Sequence, residues 1–272
     1  LFKGLFDDAA LFPPGNAPMP DAVKGHGEHT RAWYRDLVGL FVCPNPRLDE
    51  LDASAQHNRF GSVDIALAVP SGLAELTSAL AEADQYGWLH LKALEVPVAV
   101  PDLEQAIGSL RPVTEGGIRV FVEIATGDIS RAVADELKNA GLGVKIRTGG
   151  LTTEAFPETA ILAAALEALG ASGAEFKCTA GLHRAIRQMD DETGFIHHGF
   201  LNVLLATRSA LRGTGEVFDL LGSTDPSSIV DTVAGLDTAD IEGVRSLFQS
   251  IGTCSIDEPL ADLVLLGLVA AP

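Results

Sequence analysis

Residues 118–147, IRVFVEIATGDISRAVADELKNAGLGVKIR, contain the repeating unit of the chain. An apolar, β-branched run (118–125) leads into an amphipathic segment (129–141) and then into a second apolar run (142–147). Runs this apolar suit strands buried on both faces, and the segment between them has helical periodicity. The pattern extends in both directions. Comparable runs lie at 38–43, 63–69, 89–98 and 174–179, separated by GLAELTSALAEAD (72–84), DLEQAIGSL (102–110) and ETAILAAALEALG (158–170), with strand starts about 24–32 residues apart. Six evenly spaced βα units predict an α/β chain, a (β/α)8 TIM-barrel-like fold, and no GxGxxG follows the first run to favour a dinucleotide-binding sheet.

One domain is expected over residues 1–272: an N-terminal loop and helix over 1–36, the helix over 21–36 with Asp21 as N-cap, then the barrel over 37–272. Beyond Thr179, residues 197–212, 241–250 and 259–267 read as helices and GTCSI (252–256) as a closing strand. Eight strands are not all legible, so either a degenerate strand lies near 214–222 or the barrel is incomplete.

The 272 residues are 47% hydrophobic and 21% charged, the balance of a folded chain. A formal net charge of -18 argues against a nucleic-acid or anionic-membrane partner, since both need a basic footprint. Cys43, Cys178 and Cys254 are far apart and odd in number, which fits neither a disulfide framework nor a CxxC metal site. No apolar run is long enough to span a bilayer and the start lacks a signal-peptide layout, so the cytoplasm is the expected location. The expected partner is a small-molecule substrate, and a homo-oligomer is compatible with the sequence.

The chemistry sits at the ends of the apolar runs. Glu95, Glu123, Lys145 with Arg147, and Lys177 with Thr179 fall late in four consecutive strands, and period-two alternation puts the members of each strand on one face. In a barrel that face and end form the active mouth. Two lysines on adjacent strands in a partly desolvated pocket should lower one another's pKa, which is how a lysine becomes nucleophilic near neutral pH. A purely structural alternative is that Glu95 and Glu123 form salt bridges with Lys145 and Lys177. Arg147, followed by Thr148, Gly149 and Gly150, is suited to hold a carboxylate or phosphate, or else marks an ordinary glycine turn.

VKIRTGG (144–150) and FKCTAG (176–181) resemble the two lysine-bearing strand ends of class I aldolases of the deoxyribose-phosphate aldolase type. The likeness covers about fifteen residues. It implies that Lys145 forms the imine and Lys177 tunes it, with Arg147 standing where that pattern carries serine or threonine. Over its whole length, through LFDDAALFPPGNAPMPDAV (5–23), KCTAGLH (177–183) and HHGFLNVLLA (197–206), the chain also resembles a bacterial family of hypothetical proteins with no established activity.

Histidines form a second group. His183 follows the sixth run, and His197 and His198 open the next helix, with Asp190, Asp191 and Glu192 between them. They suit proton transfer, substrate binding or, with Glu95 and Glu123, a divalent metal ion, although the spacing matches no strong metal motif. His26 and His29, three apart on the first helix, read as an exposed face. Asp7 and Asp8, between apolar residues, either cap a turn or reach the pocket. Trp33, Trp88 and Tyr34 read as core.

The functional expectation is a lyase acting on a small anionic carbonyl compound by Schiff-base, aldolase-type chemistry. Lys145, Lys177, Glu123 and His183 are its catalytic candidates, and Arg147, Thr148, Glu95, Thr179 and His198 bind substrate. No cofactor is required by this reading. A metal-dependent lyase, isomerase or hydrolase with Glu95, Glu123, His183 and His198 as ligands is the alternative, and a non-catalytic small-molecule-binding barrel is the third.

Overall fold

The computed structural model describes residues 1–57, 61–191 and 193–272, so Glu192 lies outside the described residues. Eight parallel strands close into a barrel: β1 (Phe6–Asp8), β2 (Val38–Pro44), β3 (Val63–Ala68), β4 (Leu89–Pro97), β5 (Arg119–Glu123), β6 (Gly143–Arg147), β7 (Phe176–Thr179) and β10 (Phe248–Thr253). β10 closes the ring by pairing with both β7 and β1. A small antiparallel hairpin, β8 (Gln188–Met189) and β9 (Ile196–His197), stands outside the barrel in the loop after β7.

Helices α1 (Met19–His29), α2 (Leu48–His57), α3 (Leu76–Ala83), α4 (Leu103–Glu115), α5 (Arg131–Asn139) and α6 (Thr159–Ser172) follow the first six strands in turn. After the hairpin come α7 (Phe200–Arg212), α8 (Val217–Gly222), α9 (Pro226–Ala234) and α10 (Thr238–Leu247), and α11 (Asp257–Leu265) follows β10. α5 shows how sequence sets an element here. Ser130 caps it by accepting from the Val133 N–H at 3.3 Å, Val133, Ala134 and Leu137 form its buried stripe, and the chain turns out of it through Gly141 at φ +71°. α6 is apolar almost all round because α5, α7 and α8 pack on it.

The six strands expected between 38 and 179 are present, and the barrel is complete. The correction concerns where the missing strand lies. Residues 217–222 are helical, and the eighth strand is Phe6–Asp8, inside the segment read as a preceding loop. The closing strand also begins earlier than expected, at Phe248. α1 starts at Met19 with Asp21 in its first turn rather than at the cap, and ends at His29. His26 is buried, not exposed: its Nδ1 lies 3.1 Å from Asp8 Oδ2 and its ring packs on Phe41. Trp33 is exposed, while Trp88 is half-buried and donates to Asp52 Oδ1 at 2.7 Å.

Inside the barrel, Ala66, Ala68 and Ala93 make room for the Phe121 ring, and Ala9 and Val42 complete this inner cluster. A Cβ on Gly143 would lie 2.6 Å from that ring, so the glycine is what lets Phe121 turn inward from the neighbouring strand. Phe121 is the floor on which the polar layer rests, with Lys177 Nζ 5.7 Å from its centroid.

Candidate active site

Six charged side chains form a single chain of ion pairs around the upper end of the barrel. Asp7 Oδ2 lies 2.6 Å from Lys177 Nζ, which lies 2.5 Å from Glu95 Oε1. Glu95 Oε2 lies 2.8 Å from Lys145 Nζ, and Lys145 lies 2.8 Å from Glu123 Oε2. Glu123 Oε1 then meets Arg147 Nε at 3.3 Å. Signs alternate along the chain, so three carboxylates offset three cations. Strand register produces this order, because Glu123, Lys145 and Lys177 are direct neighbours across β5, β6 and β7.

Exposure rises along the chain from its buried end at Lys177 to its open end at Arg147. The Lys177 side chain is 1% exposed, Lys145 11%, Glu123 21% and Arg147 50%. Asp7 anchors the closed end. Its Oδ1 accepts from the Leu40 N–H at 2.8 Å and its Oδ2 accepts from Ser250 Oγ at 2.6 Å as well as from Lys177. A Cβ on Gly39 would stand 2.2 Å from that Oδ1, so β2 is notched by a glycine where the carboxylate sits.

Burial alone pushes the Glu95 carboxyl pKa up, but Lys145 and Lys177 overcome it and hold Glu95 down to about 2. Glu123 is lowered in the same way, against its own desolvation, by Lys145 and Arg147. Burial opposes charge on both lysines, yet their carboxylate partners raise both above the ordinary value. This corrects the expectation of a depressed lysine: each ammonium has two carboxylates between it and free-base chemistry, and the repulsion between the two lysines is absorbed by Glu95.

A cavity of about 260 Å³ opens above this layer. Glu95, Lys145, Arg147, Thr179, His183 and Cys254 line it, and Ala9, Phe12, Pro13, Val42 and Leu151 add apolar surface. Glu123 and Lys177 do not line it: Glu123 stands behind Lys145 and Arg147, to which it is ion-paired, and Lys177 is buried among Asp7, Glu95 and the Phe121 ring. Thr148 is not on the cavity. Its hydroxyl donates to the Thr179 and Ala180 carbonyls, tying the loop after β6 to the loop after β7, where Gly149 and Gly181 pack backbone to backbone.

The histidines divide. His183 lines the cavity, with Nδ1 2.8 Å from Glu258 Oε2 and 3.9 Å from Cys254 Sγ. His198 does not line it: it is buried, with Nε2 2.8 Å from the Pro157 carbonyl and Nδ1 3.2 Å from Arg187 Nη1. His197 stacks on Phe156 at 4.5 Å. Desolvation lowers the pKa of both. The metal set of Glu95, Glu123, His183 and His198 is therefore not assembled, and among the described residues no group of three or more His, Cys, Asp or Glu is placed to hold a metal ion. Both carboxylates of that set are already bonded to cations, which a metal would have to displace.

Asp7, Ser250, Cys254 and Glu258 are the site residues whose roles sequence reading did not fix. Asp7 carried a signal, an acid pair among apolar residues. Ser250 and Glu258 carried none, since each acts through one long-range contact.

The fold and this mouth define an α/β barrel with a charged, partly enclosed cavity at its strand ends. No family model matches the chain, and no curated protein matches it. Among the described residues no helix is long and apolar enough to cross a membrane.

Proposed function

We propose that the protein is a barrel enzyme that enolises a small anionic carbonyl compound. Lys145, as the ammonium, accepts the developing negative charge on the carbonyl oxygen, Glu123 carries the α-proton, and Arg147 holds the substrate's anionic group. The observation that carries this reading is that Lys145 both lines the cavity and lies 2.8 Å from each of two carboxylates. A fixed cation in a partly desolvated cavity is worth far more against a developing oxyanion than the same charge in water.

Substrate binding also adjusts the base. A carboxylate that takes Arg147 and a carbonyl that takes Lys145 draw both cations away from Glu123, whose basicity then rises beside the proton it is to remove. Glu95, still paired with Lys177, keeps Lys145 charged.

A second reading, an imine on Lys145, is favoured by one observation: Lys145 and Lys177 are direct register neighbours on β6 and β7, as the aldolase resemblance implies. The two readings part in one experiment. Wild-type protein is incubated with 2-oxo acids in D2O, deuterium at the α-carbon is followed by NMR, and parallel samples are treated with borohydride. Exchange without a reduced adduct is expected, falling by roughly 10²–10⁴ in Glu123→Gln and Lys145→Met. An adduct mapped to Lys145 establishes the imine instead, and tight binding with neither exchange nor adduct makes the barrel a binder.

A further inference from the structure

The cavity also holds titratable groups that the enolising reading leaves unused. His183 enters the cavity from the loop after β7, and that loop is gripped by α11. Glu258 Oε2 takes His183 Nδ1 at 2.8 Å, while Asp262, one helical turn later, takes Arg184 Nη1 at 3.1 Å and the Ala185 N–H at 2.8 Å. Two carboxylates on one face of one helix thus hold three consecutive loop residues, and the imidazole is fixed by more than its own contact. A carboxylate on Nδ1 keeps the proton there and leaves Nε2 as the nitrogen that exchanges a proton with a ligand.

We propose that His183, positioned by Glu258, is the general acid of a β-elimination, so that the substrate is a small β-hydroxy carbonyl acid and the product its conjugated, dehydrated form. This rests on the enolising reading and names its reaction. The Cα–H bond breaks and its proton goes to Glu123, while Lys145 holds the enolate oxygen. The electron pair then forms the Cα=Cβ bond as the Cβ–O bond breaks, and the hydroxyl leaves as water with the proton from His183 Nε2. Nothing is oxidised or reduced, and afterwards Glu123 returns its proton to solvent and His183 regains one.

Cleavage of the Cα–Cβ bond in the same substrate class needs the opposite of His183, a group that takes a proton from the β-hydroxyl. Burial works against a charged His183, but its contacts with Cys254 and Glu258 prevail and raise it from 6.5 to about 9, so the residue faces the cavity with a proton to give. The charged and titratable groups around it are Glu258 on α11, Cys254 after β10, Arg184 beside it, and Asp190 and His197 from the hairpin segment, with Lys145 and Arg147 lining the same cavity.

The test uses the full chain and two probes, 4-hydroxy-2-oxopentanoate, which can lose water, and 2-oxopentanoate, which can only exchange its α-protons. Wild-type protein is expected to dehydrate the first and exchange the second. His183→Gln should dehydrate roughly 100-fold more slowly or worse, a loss well beyond any that it shows in exchange of 2-oxopentanoate. Glu258→Gln, which leaves the imidazole in place, should move the alkaline limb of the dehydration profile down by about one pH unit or more. Release of acetaldehyde in place of water, undiminished dehydration by His183→Gln, or equal loss of exchange and dehydration in that variant would each overturn the proposal while leaving enolisation intact. Failure of the wild type to exchange either probe would overturn the enolising reading, and this proposal with it.

Discussion

Lys145 and Lys177 are the same residue type at the same register on adjacent strands, and their surroundings give them different work. Lys177 is closed in by Asp7, Glu95 and the Phe121 ring and reaches no solvent, whereas Lys145 faces the cavity. Removing one partner of a buried pair leaves the other charge uncompensated, so Lys177→Met, which strands Asp7 and halves the pairing of Glu95, should cost about 3–5 kcal/mol in urea unfolding. Lys145→Met leaves Glu95 with Lys177 and Glu123 with Arg147 and water, and should cost about 1–2 kcal/mol. A larger loss from Lys145→Met than from Lys177→Met would contradict this division. Sequence spacing placed both lysines, Glu95 and Glu123 on the correct face, because period-two alternation depends only on local geometry. It left their charge state open between a lowered pKa and an ion pair, because spacing does not give distances between side chains, and for Lys177 the balance also depends on Asp7, 170 positions away.

At the scale of elements, β1 shows why one strand of the barrel was hidden. FDD has a single apolar residue, and its acids belong in a strand only because each finds a remote partner: Asp7 points inward to Lys177, Ser250 and Leu40, and Asp8 points outward to His26. Periodicity cannot reveal a strand whose inward position is filled by a charge. The apolar residues of VFDLLG (217–222) had the opposite effect, suggesting a strand where α8 packs on α6 and α7. The fit of β1 against β2 depends on Gly39. Gly39→Ala, which would drive a methyl into the Asp7 carboxylate, should destabilise the fold by about 1–3 kcal/mol in thermal or urea unfolding. Gly25→Ala, in α1 with open space around it, should instead be neutral or stabilising by up to about 1 kcal/mol. Equal effects of the two substitutions would show that the notch is not what seats Asp7.

At the scale of the whole molecule, the net charge of -18 lies outside the mouth, where the three carboxylates and three cations of the ion-pair chain balance. The barrel can therefore present a cationic wall, Lys145 and Arg147, to an anionic ligand despite an acidic surface, provided that Lys145 stays charged. Linkage fixes the sign of the consequence. Lysines whose pKa is raised on folding stabilise the fold below about pH 10.5, and that contribution is lost as pH rises through their folded values. Glu95, lowered from 4.5 to about 2, stabilises it above about pH 4.5, and this is lost as pH falls through 2. The central claim, that Lys145 works as a fixed ammonium, is tested most directly by ¹⁵N NMR of the lysine side chains across pH, assigned with Lys145→Met and Lys177→Met. The account predicts that both Nζ resonances remain those of ammonium groups at and above pH 10, with only Lys145 shifting on addition of a 2-oxo acid. A Lys145 that titrates to the free amine below about pH 9 would contradict it and make that lysine a nucleophile.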